Sequence, residues 1–524
     1  MSSNAKRKIS LPRLFLSVIV LLSICLIAVF SVNSWINSRI YDSKKPWFAP
    51  YVDVTTTPIF HFEQLSNGSP KDVILGFVVS SANDVCSPSW GGYYSLSQAA
   101  GSLDLDRRIA RLQQQGGSVA VSFGGLKNNE LALGCKNYSQ LMSAYQDVIN
   151  RYKLNTVDFD IEGPSLNDNT SSVRRAQVIA SIQRERRLVH KNLAVWLTLP
   201  VTPDGLNQSA INQINDMLGA GVDLSGINIL VMDYGNNSLV HGQTMLSASE
   251  KAVVQTERQV QILYKKQKIY LSNFSTWLKI GATPMIGQND NYNEVFSLND
   301  AKLFNQFAVS KGIGRLSIWS ENRDVACGGN YLNLRIVSNS CSGVTQSPFE
   351  FSSLLKKSFS GSFTRSSGLI TASDVSSNFY SQPDNPATSP YQIWSPSNAY
   401  LEGTKVVWHH NVYQAKWWTQ GDVPDNPVLQ TWQTPWQLIG PVLPGEKPIS
   451  QPTLPAGTYP DWSGSSVYNT NDRVLFNGVP YQAKWWNQGD SPAAASSNPD
   501  SSPWAPLTQA QINQILATTN KSGS

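Results

Sequence analysis

Leu154-Asn155-Thr156-Val157-Asp158-Phe159-Asp160-Ile161-Glu162 sets three carboxylates two residues apart, with Val157, Phe159 and Ile161 between them. Strict alternation is the period of a β-strand, so the acids share one face and the apolar residues the other. The stretch lies in the middle of a long strand–helix alternation, where parallel strands are buried on both faces. Buried acids are costly unless they are paired, protonated or used. The alternative is an exposed edge strand with a solvated acidic face.

Working outward, residues 46–355 alternate short apolar runs with amphipathic segments. The predicted strands are 48–55, 73–80, 119–123, 156–161, 194–199, 226–232, 280–286 and 315–319. Helical patterns lie between them, such as 106–115, stopped by Gly116-Gly117, and 249–266. Eight strands with intervening helices predict an α/β fold of the (β/α)8 TIM-barrel type. A doubly wound open sheet would show a Gly-rich phosphate loop after its first strand, and none is present.

The acidic stretch resembles the signature of family 18 glycoside hydrolases, the chitinase family, Asp-x-x-Asp-x-Asp-x-Glu. Asp158, Asp160 and Glu162 match its last three positions. Asn155 stands where the first Asp is usual, and Thr156 where Gly is usual. The resemblance implies that Glu162 is the general acid. The sugar's own acetamido oxygen would attack the anomeric carbon, and Glu162 would then act as base toward water, with overall retention. Asp160, about 6.6 Å away along the strand, fits the role of holding the acetamido group and of raising the Glu162 pKa by like-charge repulsion. Asp158 would lie deeper and share a proton or hydrogen bond with Asp160, or serve structure alone.

Three more segments carry the same resemblance. Val121-Ser122-Phe123-Gly124-Gly125 is similar to the Ser-x-Gly-Gly motif, whose glycines allow close backbone approach near the cleft floor. Met232-Asp233-Tyr234 resembles the segment after the sixth strand. There Tyr234 would donate to the acetamido oxygen and Asp233 would contact substrate, the alternative for Asp233 being a helix cap or turn. Trp319 resembles the family's Trp at the floor of the sugar site. Trp90 is a further candidate for the cleft wall. Trp196 reads rather as core.

The C-terminal third holds an internal repeat. Within the modules expected at 391–440 and 461–506, positions 394–436 and 462–504 match without a gap at a constant offset, so that Trp394, Trp417 and Trp418 recur as Trp462, Trp485 and Trp486. Each copy is a mini-domain with a marginal core. Neighbouring Trp residues on a strand point to opposite faces, which predicts one Trp of each doublet inside and one outside. The repeat looks like the family 5/12 carbohydrate-binding module, an all-β unit marked by Ala-Lys-Trp-Trp that typically binds chitin. Residues 356–390 read as a Ser/Thr/Pro linker and 441–460 as a stiffer Pro-rich one, with 507–524 as a tail.

Composition excludes other classes. Charged residues are only 15%, against 16 Trp. Residues 1–45 carry seven of the 41 basic residues and one of the 36 acids, leaving 34 against 35. No nucleic-acid footprint follows. His61, His190, His241, His409 and His410 show no metal-ligand spacing, so neither metal nor cofactor is expected. After the basic residues 1–13, residues 14–32 form an uncharged apolar run, read as a transmembrane signal anchor rather than a cleaved signal peptide. The remainder would then lie outside the cytosol. Besides Cys25, four Cys allow three pairings. Cys86 with Cys135 and Cys327 with Cys341 is the expected set, since Cys86 and Cys135 follow successive strands, and free thiols are the alternative.

Together these features predict a monomeric, exported chitinase whose partners are chitin and its oligosaccharides, with a membrane contact through the N-terminal helix. Only residues 287–314 separate the last two strands, too few for a cleft-deepening insertion, which implies an open groove and endo cutting. A non-catalytic chitin lectin and an endo-N-acetylglucosaminidase acting on N-glycans are the rival readings.

Overall fold

The computed structural model describes residues 11–42, 45–66, 68–235, 239, 243–329, 331, 333, 336–370, 382–448, 453–492, 502–507, 511–512 and 514–516. The chain divides into two units. The first closes at Ser367; the second runs from Gly368 and takes in Asp104–Gln114.

In the first unit, Trp47–Phe48, Asp72–Ser80, Ser118–Gly124, Thr156–Asp160, Ala194–Pro200, Leu224–Leu230, Ile280–Thr283 and Arg315–Leu316 pair in parallel, each with its sequence neighbour. Trp47–Phe48 bonds Arg315–Leu316, and Tyr51–Asp53, the continuation of the same strand, bonds Ile74–Gly76, so the sheet closes on itself. The expected strand 48–55 is split because Pro50 has no N–H to give; its carbonyl still accepts from Ile74 N–H. Intervening helices include Tyr138–Arg151, Asn169–Leu188, Gln208–Gly219, Met245–Lys266 and Leu298–Lys311. The Met245–Lys266 helix starts a turn before expectation, because Thr244 and Ser247 cap it reciprocally. Between the last two strands the described residues hold one small hairpin, Gly287–Gln288 with Val295–Phe296, and the helix Leu298–Lys311.

The acidic strand Thr156–Asp160 is buried along its whole length. Phe159 stacks on Phe123 and meets Tyr145 edge-on toward the helices, while Asp158 and Asp160 alternate to the barrel interior. Its register sets Asp158 beside Ser122 and Trp196, and Asp160 beside Gly124 and Thr198.

The expected linker at 356–390 begins too early. Phe363 is buried with Trp47, Ala49, Ile74 and Trp196 at the N-terminal end of the barrel. The Thr364 carbonyl accepts from Thr156 Oγ1 at 2.7 Å, the Arg365 carbonyl from Asn155 Nδ2 at 2.7 Å, and Ser366 N–H gives to Ser118 Oγ. Asn155 Oδ1 also accepts from Arg186 at 2.7 Å. Asn155 and Thr156, the two departures from the acidic signature, therefore pin the segment that floors the barrel. Asn155→Ala removes two of these bonds and is expected to cost about 1–2 kcal/mol, read as a lowered urea midpoint with activity per folded molecule unchanged.

Leu11–Asp42 forms one helix. Among the described residues no helix is long and apolar enough to cross a membrane, which corrects the expected anchor at 14–32.

In the second unit, Lys405–Trp408, Asn411–Ala415 and Trp436–Pro441 form an antiparallel sheet, with Ala399–Tyr400 paired to Thr419–Gln420. The same layout returns as Arg473–Phe476, Val479–Ala483 and Trp504–Pro506, with Val467–Tyr468 paired to Asn487–Gln488. Each copy has its own small core: Trp394, Tyr400, Val406, Tyr413 and Trp436 in one; Tyr468, Val474, Tyr481 and Trp504, with Trp462 against them, in the other.

Candidate active site

At the centre of the barrel Asp158 is fully engaged. Its carboxylate accepts from Tyr51 Oη at 2.8 Å and from Ser122 Oγ, Thr198 Oγ1 and Arg315 Nη1 at 2.7 Å each. Arg315 also gives Nη2 to Tyr51 Oη at 2.8 Å, and its guanidinium lies over the rings of Trp47 and Trp196. Burial pushes the Tyr51 phenol well above its ordinary range, so it serves as a neutral donor. Asp158 thus bonds four side chains from four other strands, and not Asp160 as expected. Asn228 and Thr283 extend this polar layer, Asn228 giving to Thr283 Oγ1 at 2.8 Å and to Thr198 Oγ1 at 3.2 Å.

One step up the same strand, Asp160 is buried and its Oδ1 has no hydrogen-bond partner among the described residues. Burial, then the charges of Glu162 and Asp158, raise its pKa well above the carboxylate range. Glu162 follows the strand end, at the N-cap position of the short helix Gly163–Asn167, and makes no capping bond. Burial first, then Asp233 and Asp290, lift Glu162 to about 7. Asp160 and Glu162 repel one another, and Asp233 and Asp290 add to the negative charge acting on Glu162.

Gly124 and Gly125 make this approach possible. A Cβ on Gly124, at φ +106°, would lie 2.1 Å from the Asp160 carbonyl oxygen, which accepts instead from Gly125 N–H at 2.8 Å. Ser122 serves Asp158.

After the sixth strand, Asp233 sits at φ +48° with its Oδ1 accepting from Asp290 N–H at 2.8 Å. Burial, then Asp290, lift it to about 6. Met232 beside it is half-buried. Tyr234 is placed differently from expectation: its hydroxyl gives to Ser249 Oγ at 3.3 Å, and its N–H and that of Gly235 give to the Glu294 carboxylate. Half-buried Trp319 stacks on Phe77 at 5.4 Å with Tyr51 against both. Trp90 is fully buried, its indole N–H giving to Tyr152 Oη at 2.9 Å, so it is core and not cleft wall. Disulfides join Cys86 to Cys135 and Cys327 to Cys341. Among the described residues no His, Cys, Asp and Glu cluster could hold a metal ion.

In the two β modules both Trp residues of each doublet are exposed, Trp418 at 58% and Trp486 at 60% being the more so. The strands Asn411–Ala415 and Val479–Ala483 end before the doublets, so strand alternation does not govern them. Lys416 Nζ lies 4.8 Å over the Trp417 ring and Lys484 Nζ 4.5 Å over Trp485. Trp394 and Trp462 belong to the module cores and are not platforms.

Residues missed in the sequence are Tyr51, Phe77, Thr198, Asn228, Asp290, Glu294 and Arg315. Each reaches the site from another strand or loop, so no local pattern marks it.

Residues 461–505 match the carbohydrate-binding module family 5/12. Over 308 residues the chain is 35% identical to the probable bifunctional chitinase/lysozyme of Escherichia coli K12, covering 56% of this chain and 33% of that protein. It is 34% identical to endochitinase 11 of Metarhizium anisopliae over 306 residues, 55% of each. The chain therefore spans between a third and about half of the length of these curated relatives. The catalytic domain of the hyperthermophilic chitinase from Pyrococcus furiosus superposes with a TM-score of 0.52 at 27% identity, over 61% of this chain and 97% of that one. The barrel is thus similar to a chitinase catalytic domain, and the last module to a carbohydrate-binding family.

Proposed function

We propose that the chain hydrolyses β-1,4-linked N-acetylglucosamine in chitin, with retention and with the substrate as its own nucleophile. The observation that carries this is Glu162 at the end of the acidic strand, in a setting that lifts its pKa to about 7, next to Asp160, whose buried Oδ1 lacks a partner among the described residues. Glu162 protonates the leaving oxygen as the acetamido oxygen attacks the anomeric carbon. The leaving sugar departs and Glu162, now a carboxylate, takes a proton from the water that opens the oxazolinium ring. An acetamido N–H satisfies Asp160 Oδ1, which orients the nucleophile and offsets the cost of leaving that oxygen bare. Asp233, whose charge acts on Glu162, contacts the substrate. Trp319, stacked on Phe77, supplies the apolar floor. The short connection between the last two strands favours an open groove and endo cutting. Two disulfides favour a working place outside the cytosol.

The pH profile tests the acid assignment. A group raised to about 7 is protonated below that pH and loses its proton above it, so kcat/KM falls on the alkaline side near pH 7. An ordinary Glu would place that limb near pH 4.3. Asp290→Asn, which removes one of the repelling charges, is expected to move the limb to lower pH. A limb that stays in place refutes the assignment.

We further propose that both modules hold chitin, the first by its repetition of the second's strands and Trp doublet. Two linked modules raise the effective concentration of the second binding event to the order of millimolar. Ending the chain at residue 385 is expected to depress turnover of solid chitin at least tenfold while soluble oligomers are cut at the same rate; equal losses contradict this.

A further inference from the structure

The two β modules differ in one loop. In the second, the positions equivalent to Val423, Asp425, Val428, Leu429 and Trp432 are Ser491, Ala493, Ser496, Ser497 and Asp500. At four of these five positions the first module is apolar or aromatic where the second is polar; at the fifth, Asp425 stands against Ala493. In the first module Leu429 is 93% exposed and Trp432 is 70% exposed, more than either member of the Trp417–Trp418 doublet. Exposed apolar groups gathered on one loop mark an interaction surface more often than chance.

The loop is held in place rather than left loose. At one end Asp425 accepts from Trp408 Nε1 at 2.8 Å and pairs with His409 Nδ1 at 2.5 Å. Phe476 and Asn477 replace Trp408 and His409 in the second module, so the clasp has no counterpart. At the other end Trp432 lies in the single turn Thr431–Gln433, closed by Gln430 N–H to Gln433 Oε1 and Gln433 N–H to the Gln430 carbonyl. Lys416, the residue before the Trp doublet, ties that turn down: its Nζ gives to the Thr431 carbonyl and its N–H to the Pro435 carbonyl. The same Nζ lies over Trp417. The turn that carries Trp432 is therefore tied to Lys416, the residue that precedes the doublet.

We infer that the first module carries an extended sugar-binding surface, in which Trp432 continues the Trp417–Trp418 face and takes a further stretch of the same neutral polysaccharide chain. This rests on the reading that the modules hold sugar. The chemistry of the loop selects the ligand class. Residues 426–436 contain no charged side chain; they offer the exposed Trp432 indole with Gln430, Thr431, Gln433 and Thr434, while Trp436 is buried in the module core. A flat apolar face edged by amide and hydroxyl groups suits pyranose rings edged by hydroxyl and acetamido groups, and the charges at the ends of the loop are engaged within the module, Asp425 with His409 and Trp408 and Lys416 with the Thr431 carbonyl. The first module is then the tighter of the two.

The test uses the full chain with Glu162→Gln, so that ligand is not consumed, and Trp485→Ala with Trp486→Ala, so that the second module's doublet does not contribute and the constant contribution of the barrel cancels between variants. Binding is measured by depletion onto solid chitin, and circular dichroism checks folding. Adding Trp432→Ala is expected to weaken binding about five- to thirtyfold, equivalent to ~1–2 kcal/mol. Trp432→Tyr, which keeps an aromatic face, is expected to restore most of it. If Trp418→Ala weakens binding and Trp432→Ala leaves it unchanged, the extended surface is refuted while the sugar-binding reading stands. If Trp432→Ala and Trp432→Tyr are equally weak, stacking is refuted. If the chain with both modules intact does not bind solid chitin, the underlying reading fails instead.

Discussion

Glu162→Gln is expected to lower kcat on soluble chitin oligomers by about 10²–10⁴-fold, the usual contribution of a positioned general acid–base group. The amide matches the carboxyl in size and cannot deliver a proton. Glu162 caps no helix and has no structural bond to lose at the Gly163–Asn167 turn, so folding is expected to be unchanged. KM should stay within a few-fold, because the floor of Trp319 and Phe77 and the carboxyl of Asp160 are untouched. The same pair of proteins separates the rival functions. A lectin turns over nothing in either form and binds in both. An endoglycosidase of N-glycans loses activity on a glycoprotein while solid chitin is attacked by neither form.

Arg315→Met is expected to cost about 3–5 kcal/mol of stability, the range for removing one partner of a buried ion pair. Arg315 is wholly buried and gives Nη1 to Asp158 at 2.7 Å, Nη2 to Tyr51 Oη and Nε to Ser317 Oγ. Without it the Asp158 charge keeps three neutral donors and loses its counterion in the middle of the barrel. Urea unfolding measures the loss. Combining Arg315→Met with Asp158→Asn is expected to cost less than the two single changes added together, since the double variant leaves no uncompensated charge. Strict additivity would show that the pair is not coupled.

The alternation around Asp158 and Asp160 was sufficient to read a buried parallel strand, because only a two-residue period with charge inside demands such a setting. The barrel followed from eight repeats of strand and helix. What the acids bond to was not legible. Tyr51, Ser122, Thr198 and Arg315 come from strands far apart in the chain, and only closure brings them together. The roles of Asp158 and Asp160 therefore divided differently from expectation, one wholly satisfied and one bare. Tyr234 was misplaced because adjacency in Met232-Asp233-Tyr234 cannot say which side chain turns toward Ser249. Module residues Trp394 and Trp462 entered the cores because so small a unit has few other large side chains to bury. The Ser-rich stretch after 356 concealed Phe359 and Phe363, two apolar residues in a composition that otherwise reads as solvated. Asp290 lies on a hairpin that no periodicity announces.

The strap from Phe359 to Ser367 has a bearing on synthesis. A ribosome completes all eight staves of the cylinder before it delivers the stopper for their lower end. Until Phe363 arrives, Trp47 and Trp196 stand over an open drain, and the nascent cylinder is exposed to misassembly. Trimming the chain before Phe359 would make that unfinished state permanent, whereas a cut beyond Ser367 leaves the vessel sealed.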